Sequence, residues 1–187
     1  MKIDKCVLGV YETLDGLDIA GELCSWLKKH YKVYKVTQQP TENNLYEYPG
    51  LLMASNLSIG LNEPILYLHT KGAANNYDIQ GIVRSMWKKE FRLNKRWYEA
   101  QLDIDPDKPK VICPITTGEE VAWYNGYIMN PAAAKIISER LKVTDREFYE
   151  IGLLKDCGIE VVGRYMAKER LVTMKMFEIL GIKMKGM

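Results

Sequence analysis

Short apolar runs rich in β-formers alternate with stretches of helical periodicity along most of this chain. That alternation constrains the fold more than any other feature. Cys6 to Tyr11, Val33 to Val36, Pro64 to His69, Lys110 to Ile115, Val121 to Met129 and Ile159 to Val162 read as strands. Helical signals lie between them. Asp15 and Gly16 open a helix with Leu17, Ala20, Leu23, Cys24 and Leu27 on one face, and Lys28 and Lys29 suit the dipole in its last turn. Pro49 fits the first turn of a helix running to Ile59. A long helix is predicted over Ile79 to Gln101, burying Val83, Met86, Trp87, Phe91, Trp97 and Tyr98, and prolines in the segment Asp103 to Pro109 stop it. Asn130-Pro131 places an N-cap and a first-turn proline before the next helix, and Thr144-Asp-Arg-Glu147 has capping-box form. A last helix covers Ala167 to Leu180. Strand followed by helix, repeated, predicts α/β layers around a mostly parallel sheet. No helix separates Lys110–Ile115 from Val121–Met129, so one strand of that pair is expected to run antiparallel.

Composition narrows the function classes. A chain of 187 residues, 47% hydrophobic and 27% charged, is expected to build one soluble domain with a sizeable core. A net charge of +2 gives no support to a nucleic-acid partner. The basic stretch Arg84 to Arg96 is interleaved with Trp87 and Phe91, the pattern of one wet and one dry helix face. Cys6, Cys24, Cys113 and Cys157 form no C-x-x-C pair, and with only His30 and His69 beside them a zinc site is not expected. Met1 is followed by no signal-like apolar region, and no run is long enough to span a bilayer. The expectation is a cytoplasmic protein without a membrane span, ending in a frayed tail at Lys183 to Met187.

One strand stands apart from the others. The apolar run Ile65 to Leu68 stops abruptly at His69-Thr-Lys-Gly72. The carboxyl edge of an open α/β sheet is where ligands bind. Lys71 beside Gly72 suits an anionic group such as phosphate. The alternative is an ordinary polar turn.

The segments Glu47-Tyr-Pro49, Leu66-Tyr-Leu-His-Thr-Lys-Gly72, Val83-Arg-Ser-Met-Trp87, Trp123-Tyr-Asn-Gly-Tyr-Ile-Met-Asn130 and Tyr149-Glu-Ile-Gly152 follow one another in order. This order resembles a family of glycosyltransferases with a GT-A-like fold and bacterial and large-virus members. The resemblance covers Tyr11 to Leu154, and His-Thr-Lys-Gly is its most specific element. It implies a GT-A-like, Rossmann-like domain that binds a uridine or guanosine diphosphate sugar across the carboxyl ends of the first strands. The sugar would pass to a hydroxyl acceptor on a glycan or protein. On this resemblance Tyr11 and Glu12 line the base and ribose, while His69, Thr70, Lys71, Gly72 and Arg84 hold the donor. Asn125 and Gly126 border the sugar or acceptor, and Glu150 is the catalytic base.

The family usually carries an acidic D-x-D motif that holds Mn²⁺ or Mg²⁺ on the diphosphate, and the matching position here reads His69-Thr-Lys71. Lysine cannot ligate a metal while charged, but it can itself neutralise the leaving diphosphate. A literal D-x-D does occur at Asp103-Ile-Asp105, either as a metal site or as a solvated turn. Structural alternatives stay open elsewhere. Tyr11 is equally a rim-of-core residue, and Arg84 a surface arginine over apolar neighbours. Asn125-Gly126 is equally a type I′ turn, and Glu150 a helix-surface residue. The competing function class is a non-catalytic nucleotide-sugar binder or a degenerate interaction module, favoured by the short chain and the missing acid pair.

Overall fold

The computed structural model describes residues 1–38, 47–70, 78–117, 122, 126–143, 149, 152–168 and 172–181. Its strands are β1 (Lys5–Tyr11), β2 (Lys32–Gln38), β3 (Ile65–His69), β4 (Lys110–Thr116), β5 (Tyr127–Met129) and β6 (Glu160–Met166). Its helices are α1 (Leu14–Leu27), α2 (Tyr48–Leu61), α3 (Asp78–Leu93), α4 (Lys95–Asp103), α5 (Pro131–Arg140) and α6 (Val172–Leu180). The strands form one six-stranded sheet in the order β2-β1-β3-β5-β4-β6. All pairings are parallel except those of β5, which runs antiparallel between β3 and β4. The fold is Rossmann-like α/β, as the alternation of segments requires.

The two faces of the sheet carry separate cores. Alternate residues of a strand point to opposite faces. Cys6, Leu8 and Val10 of β1 and Leu66 and Leu68 of β3 therefore pack with Ile19, Leu23 and Leu27 of α1, Trp87 and Phe91 of α3, Tyr98 of α4 and Met176 of α6. Val7, Ile65, Tyr67, Val111 and Met129 pack on the other face with Leu51 and Ala54 of α2 and Ala133 and Ile137 of α5. Near-continuous burial along β1, β3 and β4 is what coverage on both faces demands.

Some local boundaries differ from the sequence reading for identifiable reasons. The cap of α1 is Thr13, whose Oγ1 accepts from the Gly16 amide at 3.0 Å. Leu17 is exposed and Ile19 takes its place in the core. The single long helix expected over Ile79–Gln101 is two, α3 and α4. Asn94 leaves helical geometry (φ −112°, ψ 15°), and its Nδ2 donates to Glu90 Oε2 at 3.0 Å. An asparagine side chain that bonds locally competes with the helical ladder. Backbone bonding still passes through the break, Asn94 N–H to Glu90 C=O and Trp97 N–H to Asn94 C=O, so the apolar period does not reveal it. The strand expected over Val121–Met129 is described in part. Among its described residues Tyr127–Met129 joins the sheet and Ala122 makes one antiparallel bridge to Thr116. Ala167 and Lys168, expected to open the final helix, are not helical, and the helix is described over Val172–Leu180. The capping box at Thr144 to Glu147 and the tail at Lys183 to Met187 lie outside the described residues.

All four cysteines are free thiols. Among the described residues no helix is long and apolar enough to cross a membrane.

Candidate functional site at the carboxyl edge of β1 and β3

Because β1, β2, β3, β4 and β6 run the same way, Tyr11, Gln38, His69, Thr116 and Met166 all end on one edge. Antiparallel β5 brings its amino end, Gly126 and Tyr127, to the same edge. Strand order reverses at β1. The connection through α1 leads to β2 on one side, and that through α2 leads to β3 on the other. The two helices cover opposite faces. In an open α/β sheet such a divergence marks the switch point, and the general rule puts the ligand crevice outside the strand ends there, here those of β1 and β3.

Tyr11 and Glu12 leave β1 at this crevice, and His69 and Thr70 leave β3 beside them. Thr70 ties the two ends together. Its Oγ1 accepts from the Tyr11 amide at 2.9 Å, and its own amide donates to the Gly9 carbonyl at 2.9 Å. The Glu12 amide donates to the Gln38 carbonyl at 2.8 Å, which fastens the end of β2. The amino end of α1, capped by Thr13, opens onto the same edge, where its dipole is favourable to an anion.

Gly126 is buried because the Trp87 indole occupies the space a side chain would need. A Cβ at Gly126 would lie 2.3 Å from Trp87 Nε1. Gly50 plays the same part for Tyr67, with a notional Cβ 3.0 Å from its ring and 3.3 Å from the Gly9 Cα. Gly126 lets the Trp87 ring of α3 reach the sheet, and Gly50 lets α2 close over the Tyr67 ring of β3, both just below the strand ends.

Arg84 sits on α3 one turn nearer the edge than Trp87. It leans onto α1, with Nε 4.0 Å from Glu22 Oε2. Glu22 also takes Lys88 as a partner, and it is half exposed, so this network contributes little to stability.

Asp103 and Asp105 lie elsewhere. They fall between α4 and the start of β4, on the amino edge of the sheet. Asp103 is 61% exposed and pairs with the amino group of Met1. Asp105 is exposed in a turn with φ 48°. The acid pair therefore does not fit a Mn²⁺ or Mg²⁺ ion serving the crevice, since the thickness of the sheet along its strands separates them. Lys71, Gly72, Asn125 and Glu150, named above as donor, sugar and catalytic positions, lie outside the described residues.

One carboxylate at this edge escaped the sequence reading. Glu47 Oε1 lies 3.3 Å from His69 Nδ1, and the two side chains are only 11% and 13% exposed. Its charge reaches the buried phenols of Tyr67 and Tyr127. Burial first, and Glu47 second, push both hydroxyls well above the usual tyrosine range. A signal for Glu47 did exist. Glutamate is a poor N-cap, yet it stands directly before Tyr48-Pro49 at the start of α2 and makes no side-chain cap bond. Its partner is 22 positions away in the chain, so no spacing rule connects them.

No protein-family model matches this chain, and no curated protein matches it.

Proposed function

We propose that the crevice between the ends of β1 and β3 binds a nucleoside diphosphate sugar and that the protein transfers the sugar to a hydroxyl acceptor. The observation that carries this reading is the meeting of Tyr11, Glu12, His69 and Thr70 at the point where strand order reverses. In sheets of this kind that point is the ligand crevice. The Tyr11 ring offers a face for a base, since stacking asks for no particular sequence. The amino end of α1 suits the diphosphate. Lys71, next in the chain after Thr70, supplies a positive charge for the leaving group. The resemblance carried by the His-Thr-Lys-Gly element points to the same chemistry.

The test is a thermal scan against UDP- and GDP-sugars. A ligand of the native state raises the melting temperature by mass action. The expected result is a rise at millimolar donor that Lys71→Ala weakens by about 1–3 kcal/mol of binding free energy, the range for a hydrogen bond to a charged group. No shift with any donor removes the reading. A shift without hydrolysis or transfer across an acceptor panel leaves a binding module.

A further inference from the structure

We propose that His69 is the proton acceptor of this crevice and that Glu47 is the positioning residue that holds its ring and tautomer. The inference rests on the sugar-transfer reading above. Glu47 faces His69 Nδ1 from the start of α2 at 3.3 Å, and both side chains are nearly enclosed. A carboxylate at Nδ1 keeps that nitrogen protonated and puts the basic lone pair on Nε2. The ring is also fixed by its neighbours. Tyr67 lies parallel to it (centroids 6.2 Å apart, planes at 7°), and Trp87 leans on it at 5.7 Å.

This arrangement is costly for the fold. Tyr67 Oη, Tyr127 Oη and Trp87 Nε1 are buried without a hydrogen-bond partner. Buried donors are almost always paired, and phenylalanine at the two tyrosine positions would pack with no such penalty. Among the described residues three of the four such groups gather here, the fourth being Trp26 Nε1 on α1. Tyr67 and Trp87 both touch the His69 ring, and Tyr67 and Tyr127 are in contact with each other. A histidine held on several sides at such cost is a fixed chemical group rather than a strand-end residue of convenience.

The step balances as follows. The acceptor oxygen attacks the anomeric carbon and gives its proton to His69 Nε2. A new sugar–oxygen bond forms as the bond to the diphosphate oxygen breaks, and the diphosphate leaves with the electron pair. The imidazolium is stabilised by the Glu47 carboxylate and afterwards releases its proton to solvent.

The experiment measures donor binding by thermal shift and turnover with UDP- and GDP-sugars, for the parent, His69→Ala, His69→Gln, Glu47→Gln and Glu150→Gln. Both His69 variants are expected to keep a donor-induced thermal shift and to lose about 10²–10⁴ in kcat. Imidazole in the buffer restores part of the activity of His69→Ala only, and Glu47→Gln lowers kcat without raising the donor KM. Full turnover by the His69 variants, or loss confined to Glu150→Gln, overturns the proposal while leaving sugar transfer intact. Weakened donor binding with no imidazole rescue makes His69 a binding residue and also overturns it. A parent protein that neither binds nor cleaves a donor removes the transfer reading itself. Nitrogen-15 spectra judge the pair without any substrate, and the protein has only two histidines, His30 and His69. The expected His69 tautomer carries its proton on Nδ1 and changes in Glu47→Gln. An Nε2-protonated ring, or one indifferent to Glu47, overturns the pairing.

Discussion

Asn130 shows how much one side chain can organise. It is fully buried and uses every hydrogen-bonding site it has. Its Oδ1 accepts from the amides of Lys110 at 3.0 Å and Ala133 at 2.9 Å. Its Nδ2 donates to the carbonyls of Pro106 at 3.1 Å and Lys108 at 2.8 Å. One residue thus caps α5, starts β4 and closes the turn between α4 and β4. The cap was legible in Asn130-Pro131; the two bonds into the turn were not, because the turn is more than twenty positions away. Asn130→Asp keeps the capping oxygen but has no N–H for the two carbonyls, and it buries a charge against them. It is expected to destabilise by about 3 kcal/mol or more, and Asn130→Ala by a similar amount. Urea unfolding with an unchanged slope checks this, and a loss below about 1 kcal/mol would show that solvent reaches the turn.

At the scale of elements, β6 illustrates a join made by charge inside an apolar layer. Glu90 on α3 is 1% exposed, and Arg164 on β6 lies 3.3 Å from it. Asn94, Tyr98 and Tyr165 also donate to its carboxylate, at 3.0 to 3.4 Å. The guanidinium lies over the rings of Trp97 and Tyr165. This one cluster links α3, the bend at Asn94, α4 and an edge strand. Removing a single partner leaves a buried charge uncompensated, so Arg164→Ala should cost about 3–5 kcal/mol. The double variant Glu90→Gln with Arg164→Met should recover a large part of that loss. A double-mutant cycle on unfolding free energies measures it, and strict additivity would mean that the two groups do not interact. The periodicity of α3 foretold burial at Val83, Met86, Trp87 and Phe91. Nothing in it foretold a buried glutamate between them, because its partners come from β6 and α4.

For the molecule as a whole, the sheet seals several phenols away from water. Tyr31, Tyr67, Tyr98 and Tyr127 are all buried, and burial, as the largest cause, pushes each hydroxyl above its ordinary range. A raised folded-state pKa favours the protonated phenol. Their contribution to stability is therefore full below about pH 10, the unfolded value, and is lost as pH rises through the folded values. Absorbance at 295 nm should show these four, among the twelve tyrosines, ionising only as the near-ultraviolet circular dichroism collapses. Smooth ionisation of all twelve near pH 10 with the fold intact would contradict the burial.

The sequence by itself determined the class of this fold and most of its elements. Strand and helix periods are local, set by neighbours within one or two turns, and a chain that alternates them has few ways to cover both faces of a sheet. It also pointed to the end of β3 as a place of interest, because an apolar run that stops at His69-Thr-Lys-Gly72 must deliver polar groups to an edge. Tertiary structure decided which edge, and with what company. Strand order set the reversal between β2 and β3 around β1, and so placed Tyr11 and Glu12 opposite His69 and Thr70. The same topology sent Asp103 and Asp105 to the far edge. It also brought Glu47 from the start of another helix to the His69 ring. Pairings of that kind depend on how the layers stack, a global outcome of burying two apolar faces at once, and no local pattern in the chain encodes them.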